Sequence, residues 1–347
     1  MYDLKVIPRR KIWFTWSGTL VVLSIIALAV WGLKAGIDFT GGSLMEVQYP
    51  ADQRPEVSQV ITDLADLNLQ SLTIQPTENN GLIMRFQQTA EETHQAILTK
   101  LKTATPTTTA STTATTPITT EATPLNVEVV GGVGQVALQD ITVAGQDQTT
   151  TPAVTTFEEL RFEAVGPSIG AELRRNAIYS MILVVLAIVI YVAWSFRKVS
   201  KPVASWKYGL AAVLAVIHDV AITAGVFSVL GRFMGVEINT AFVAALLMIF
   251  GYSVNDTIVV FDRVRENLPK SDLDFKGTVN HSLNQTVVRS FNTSFTVMLV
   301  LLAVVIFGGA SIRYFALALL IGIIVGTYSS IFLASPLLVW FEKLKKA

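Results

Sequence analysis

Apolar residues in this chain gather into six long runs: about Ile12–Leu33, Ala177–Phe196, Tyr208–Leu230, Ile238–Phe261, Val287–Gly308 and Tyr314–Trp340. Each can cross a hydrocarbon core, which takes roughly 20 residues of helix. One such run fits a buried core helix as well. Six in 347 residues do not, because too little polar surface remains to cover them. The pattern predicts six transmembrane helices. Between the first and second the periodicity changes. Leu44–Tyr49, Ser71–Gln75, Leu82–Gln87 and Phe157–Val165 alternate apolar and polar positions as strands do. Pro55–Leu67 and Ala90–Leu101 are helical in spacing, the first with Val57, Val60, Ile61 and Leu64 on one face. The order βαββαβ predicts a ferredoxin-like α+β domain, with Asn79–Asn80–Gly81 turning a hairpin.

The expected organisation is a cytoplasmic segment (1–11), a first transmembrane helix (12–33), a periplasmic α+β domain (34–175), a five-helix transmembrane bundle (176–340) and a short cytoplasmic tail (341–347). The domain is interrupted at 103–124 by a run of Thr, Ala and Pro too poor in apolar side chains to offset its ordering entropy, so disorder is expected there. Leu125–Gln148 has a weak hairpin pattern. Asp262–Thr286 is expected to be partly helical and amphipathic, lying along the membrane surface.

Composition agrees with this. Hydrophobic residues make up 51% of the chain and charged ones only 15%, against about a quarter in soluble domains. Lys5, Arg9, Arg10 and Lys11, then Arg197, Lys198, Lys201 and Lys207, then Arg263, Arg265, Lys270 and Lys276, and finally Lys343, Lys345 and Lys346 fall on one side. The two short loops opposite offer Arg232 and Arg313. Both termini are therefore expected in the cytoplasm, with Arg174 and Arg175 snorkelling at the outer interface. The first run is too long for a signal-peptide core and no small-residue cleavage site follows it, so it is expected to be an anchor. With no cysteine, disulfides and thiol chemistry are excluded. A net charge of zero without a basic field argues against nucleic-acid binding. Three scattered histidines (His94, His218, His281) suggest no metal site.

Ionisable side chains inside a bilayer are costly and are candidates for function. His218 and Asp219 sit in the middle of the third run, Asp256 in the fourth, and Arg289 at the start of the fifth. Ala211, Ala215, Asp219 and Thr223 share a small-residue face; Tyr252, Ser253, Asn255 and Asp256 cluster; Arg289, Asn292, Thr293 and Thr296 form a stripe; Ala318, Gly322, Gly326 and Ser330 form a ridge for close helix approach. These faces are expected to converge inside the bundle. A buried carboxylate opposite an arginine has two open roles: a static ion pair, or proton coupling in which movement of the arginine switches the carboxyl between protonation states. His218 is either a hydrogen-bond partner of Asp219 or a proton shuttle. In GIDFTGG (Gly36–Gly42), Asp38 and Thr40 can bond free backbone where the first span ends, while Gly36, Gly41 and Gly42 permit close contact or positive φ, which makes the segment a joint between membrane and domain. Gly166, Pro167 and Gly170 are assigned the same role.

GIDFTGG, VGPSIGAELRRNAI (Val165–Ile178), GYSVNDTIVVFDRVREN (Gly251–Asn267) and SLNQTVVRSFNTS (Ser282–Ser294) together resemble the signature blocks of the SecD/SecF family of protein-export proteins, in order from about residue 36 to 336. The Thr-rich insertion departs from the family pattern. The resemblance implies an RND-superfamily half-bundle and a SecD partner whose six spans complete a pseudo-symmetric whole. It also implies work beside the SecYEG channel, with YajC as a companion, after SecA has pushed a preprotein through. Use of the proton-motive force is implied too, with Asp256 and Arg289 as coupling residues and Asp219 as a weaker candidate; no cofactor is implied. Two other classes compete: a half-size RND-type transporter of a small molecule or lipid, and a membrane enzyme. The first would ordinarily hold both halves in one chain. The second lacks a metal cluster, a nucleophile elbow and a phosphate loop.

Overall fold

The computed structural model describes residues 4–50, 53–77, 80–103, 157–197 and 203–346. The chain runs through α1 (Arg10–Trp31), a short α2 (Ile37–Thr40), β1 (Gly42–Gln48), α3 (Val57–Asp63), β2 (Thr73–Pro76), β3 (Gly81–Phe86), α4 (Glu91–Thr103) and β4 (Glu158–Val165). It continues through α5 (Pro167–Ser195), α6 (Ser205–Met234), α7 (Thr240–Asn267), α8 (Phe275–Phe307), α9 (Ala310–Ser329) and α10 (Ser335–Lys346). Among the described residues, six helical segments are long and apolar enough to span a membrane: α1, α5, α6, α7, α8 and the composite Ile312–Glu342. The expected fold class, six membrane helices with a small α+β domain, is present.

By packing the chain divides into two units, Leu44–Phe162 and the remainder. The sequence-based domain 34–175 is thus trimmed at both ends, because residues 34–43 and 163–175 pack with the helices. The Thr-rich stretch beyond Thr103 and the hairpin expected at Leu125–Gln148 lie outside the described residues.

Among the described residues, the α+β unit holds a four-stranded sheet in the order β2-β3-β1-β4. Its alternating strands turn Met45, Val47, Leu82 and Met84 onto Val60 and Leu64 of the α3 region and Ile97 and Leu101 of α4, all at most 1% exposed. β2 and β3 pair antiparallel, with Ile74 opposite Met84. Their turn is closed by the Thr77 amide donating to Gly81 O at 3.0 Å, and Asn80 takes φ +59°, a conformation asparagine tolerates well. His94 of α4 is buried flat against Phe162 of β4, with Nε2 2.8 Å from Glu159 and Nδ1 3.0 Å from Glu91.

In the membrane unit, α6, α7 and the last span form the centre: 61%, 50% and 56% of their most apolar stretches are buried, against 17%, 6% and 11% for α1, α5 and α8. Small residues allow this. Ala211, Ala215 and Ala318 are fully buried, Gly322 lies against Ile249, and a Cβ on Gly326 would sit 3.3 Å from Ser253 and 3.4 Å from Asp219. The last span contains a π-helical turn at Ser330–Ala334. Pro336 explains it: with no N–H to give and a ring that crowds the preceding turn, it favours a widened ladder. The Ser335 hydroxyl bonds the carbonyl of Ser330 at 3.1 Å.

The stretch 262–286 is partly helical, as expected, but its helical parts are the end of α7 and the start of α8. α7 and α8 simply continue, joined by a short turn that Asp274 closes by capping α8 at Gly277 N (2.8 Å). Continuing the ladder of two long helices leaves fewer free backbone groups than starting a third.

Tyr49, at the end of β1, is 3% exposed and its hydroxyl has no partner. Burial first, and then the nearby Asp63, pushes its pKa up to about 12. Because the folded value exceeds the unfolded value near 10, stability from the neutral phenol is intact below pH 10 and lost as pH rises towards 12. Tyr49→Phe should therefore leave amide exchange in β1 and β3 unchanged at neutral pH and reduce its acceleration between pH 10 and 12, as hydrogen-exchange mass spectrometry would show.

Candidate functional site

Asp219 lies at the centre of the bundle with no exposed surface. Its Oδ1 is 2.8 Å from His218 Nδ1. Its Oδ2 accepts from Ser253 of α7 at 2.5 Å and from Ser329 of α9 at 2.8 Å. Three central helices thus meet on one carboxyl. His218 Nε2 is buried without a partner.

Asp256 differs. Ser253 and Asp256 share a face of α7 about one turn apart, yet Asp256 has a buried Oδ2 with no hydrogen-bond partner. Its polar neighbour is Ser290 of α8, whose hydroxyl faces the carboxyl but falls short of good hydrogen-bond geometry. Around it runs a hydroxyl seam: Tyr252 to Ser294 (3.0 Å), Thr327 to Ser294 (2.7 Å) and Thr257 with Ser330 (2.9 Å).

Arg289 does not join this seam. Its side chain is exposed and makes no ion pair among the described residues, so the resting pair with Asp256 is absent. The whole stripe of Arg289, Asn292, Thr293 and Thr296 faces outward, contrary to expectation. The reason is helical phase. Thr286, Ser290 and Ser294, spaced four apart, face the bundle and are buried, and Arg289 is one position, about 100°, off that line. Asn255 is also exposed. Sequence reasoning missed Ser290, Ser294, Thr327 and Ser329; the four-residue spacing of Thr286, Ser290 and Ser294 was the signal available.

The GIDFTGG segment is fastened to the start of α7. The Gly36 amide donates to Ile238 O and the Ile238 amide to Lys34 O, both at 2.8 Å, forming a one-residue parallel bridge between Ala35 and Ile238. A Cβ on Gly36 would press on Ile238 O at 3.0 Å. Thr40 Oγ1 bonds the carbonyls of Gly36 and Gly41 at 3.1 Å each. Asp38 does not cap the end of its own span; it accepts from Thr240 N, the first residue of α7, at 2.7 Å. Gly41 has φ +74° and Gly42 φ +119°. Gly41 abuts Pro167, and Gly170 sits so close that a Cβ would be 3.1 Å from Gly41 N. Gly166 is the extended residue before α5 and has open space where a side chain would go.

A family model described as "Protein export membrane protein SecD/SecF, C-terminal" matches residues 146–344, and one for the "SecD/SecF GG Motif" matches 26–49. The chain belongs to the SecD/SecF family of protein-export membrane proteins. The protein translocase subunit SecF of Thermobaculum terrenum is 38% identical over 340 residues, covering 98% of this chain and 94% of the relative. The Thermus thermophilus subunit SecDF is 46% identical over 194 residues, 54% of this chain and 24% of that protein. A crystal structure of SecDF, described as a translocon-associated membrane protein from the same genus and species, aligns with TM-score 0.73 at 29% identity over 99% of this chain. This SecD/SecF-family chain spans only 39% of that structure's length. Membership gives the chain an accessory role in Sec protein export and makes it a multi-pass membrane protein.

The two carboxyls should respond differently to removal. Asp219→Ala strands two serine hydroxyls and His218 and should lower stability by about 3 kcal/mol. Asp256→Ala strands no bonded partner and should cost less. Unfolding midpoints in detergent micelles check this ordering.

Proposed function

We propose that the chain is the SecF-type half of a proton-driven export assembly in the bacterial inner membrane, with both termini cytoplasmic. SecD would supply the second six-span half, and the pair would act beside SecYEG with YajC, drawing preproteins outward after SecA. A SecDF of Thermus thermophilus is a single chain of which this one matches a part, which supports pairing of two halves. So does the outward stripe on α8: Thr293 and Thr296 bond carbonyls of their own helix, but a guanidinium at Arg289 and an amide at Asn292 facing hydrocarbon need a protein neighbour.

The observation that carries the reading is the buried, unpartnered oxygen of Asp256 beside Ser290, with Arg289 one helical position away. A carboxyl in that condition can carry a proton. Rotation of α8 by about 100°, or an equivalent swing of the arginine, would replace Ser290 with Arg289. A guanidinium against the carboxyl favours the carboxylate and expels the proton. The described arrangement is then the one with the arginine withdrawn, and cycling between the two couples proton movement to helix movement. The Asp219 cluster anchors α7 during that cycle, and His218, with a free Nε2, is the residue there able to accept or donate a proton.

The test replaces Asp256 with Asn and follows export of a secreted reporter in inverted vesicles with and without a proton gradient. The mutant should assemble normally and lose the gradient-dependent part of export. Full retention of the gradient response would overturn the coupling role; failure to assemble would make Asp256 a structural residue.

A further inference from the structure

Residues Leu44–Phe162 connect to the helices by only two covalent routes, the chain entering at Gly42–Ser43 and the chain leaving at Glu163–Val165. Both routes end at the same joint. The entering route is Lys34–Gly42, fastened to the loop before α7 by the Ala35–Ile238 bridge and the Lys34–Glu237 ion pair at 3.1 Å. The leaving route turns at Gly166 into α5, whose first turns lie against Gly41. One side chain ties this joint to the helix that carries Asp256. Asp38 bonds the first amide of α7, where the backbone has unsatisfied N–H groups and a partial positive charge. Asn239 takes the Phe242 amide at 3.0 Å, so the two acceptors share the capping of one helix end.

We propose that Asp38 is a positioning residue that makes the joint move with α7, so that displacement of that helix reaches both entrances of the α+β domain at once. The geometry requires a rigid link rather than a hinge. Two main-chain bonds, an ion pair and a charged cap act in parallel across the five residues from Lys34 to Asp38. Gly36 is kept free of a side chain where the two backbones touch. The proposal rests on the proton-coupling reading above for what moves α7, and its test separates the two.

The chain has no cysteine, so an engineered pair is unambiguous. Inverted vesicles carrying the full export machinery would be prepared with Asp38→Ala, Asp38→Asn, and Ala35→Cys with Ile238→Cys, the pair both alone and combined with Asp38→Ala. Asp38→Ala removes a charge-assisted bond and should populate the unclamped joint about tenfold more. Gradient-dependent export should then fall, while gradient-independent export, assembly and gradient-driven proton uptake persist. Asp38→Asn keeps an acceptor oxygen for Thr240 N and should retain most export. Oxidising the cysteine pair should leave export intact in the otherwise native chain and restore it in the Asp38→Ala background, and reduction should remove that rescue. Full gradient-dependent export in Asp38→Ala overturns the proposal. So does equal loss of gradient-independent export, which would make Asp38 merely structural, or loss of export on oxidation of the native-background pair, which would mean that the joint must open. Asp256→Asn runs alongside. If it keeps its gradient response while Asp38→Ala loses export and is rescued, the proton reading fails and the joint stands; the reverse result sinks the joint alone.

Discussion

The bundle is organised around the carboxyl of Asp219. In hydrocarbon no water is available to satisfy a polar group, so whatever bonds a buried carboxyl must come from the protein itself. Here the partners come from α6, α7 and α9, and the three helices are held at the spacing that lets short hydroxyls reach one oxygen. Everything nearby follows from that spacing. Gly326 has no side chain because Ser253 and Asp219 occupy the space. Ala211 and Ala215 let α6 approach. The more peripheral helices then pack on a centre whose register is already set.

Against that fixed centre, Asp256 stands out by being incompletely satisfied. Two buried carboxyls, Asp219 of α6 and Asp256 of α7, face opposite situations: one is saturated with donors and the other has a free oxygen and a hydroxyl that does not close a bond. A saturated carboxyl holds structure. An unsaturated one is where a small displacement of α8 changes the electrostatics most, since its next residue, Arg289, waits on the adjoining face.

Much of this was legible in the sequence. The six apolar runs, the βαββαβ order and the small-residue faces of α6 and α9 follow from periodicity, which directly reflects the solvent each side chain meets. The Asp219–His218 contact was readable because adjacent residues need no tertiary information. What failed was phase and partner. The stripe at Arg289 looked inward because polar residues in a span usually face protein; its neighbour Ser290 took that place, and an offset of one residue is beyond what composition can resolve. Asp38 was read as bonding its own span's end, whereas its partner is Thr240, 202 positions away. Pairings of that range depend on how the loop before α7 folds back, which no local pattern encodes.

That long separation also orders the protein's biogenesis. As the chain is synthesised, α1 enters the membrane and the α+β domain emerges before α6 and α7 exist. α1 meanwhile lacks its closest neighbour, since Ser228 of α6 later bonds the carbonyls of Ala27 and Gly32. The domain therefore folds on an unfastened tether. Lys34–Asp38 acquires its partners only when the loop at Glu237–Thr240 arrives, so the segment that leads into the domain is fastened by residues made after the third span.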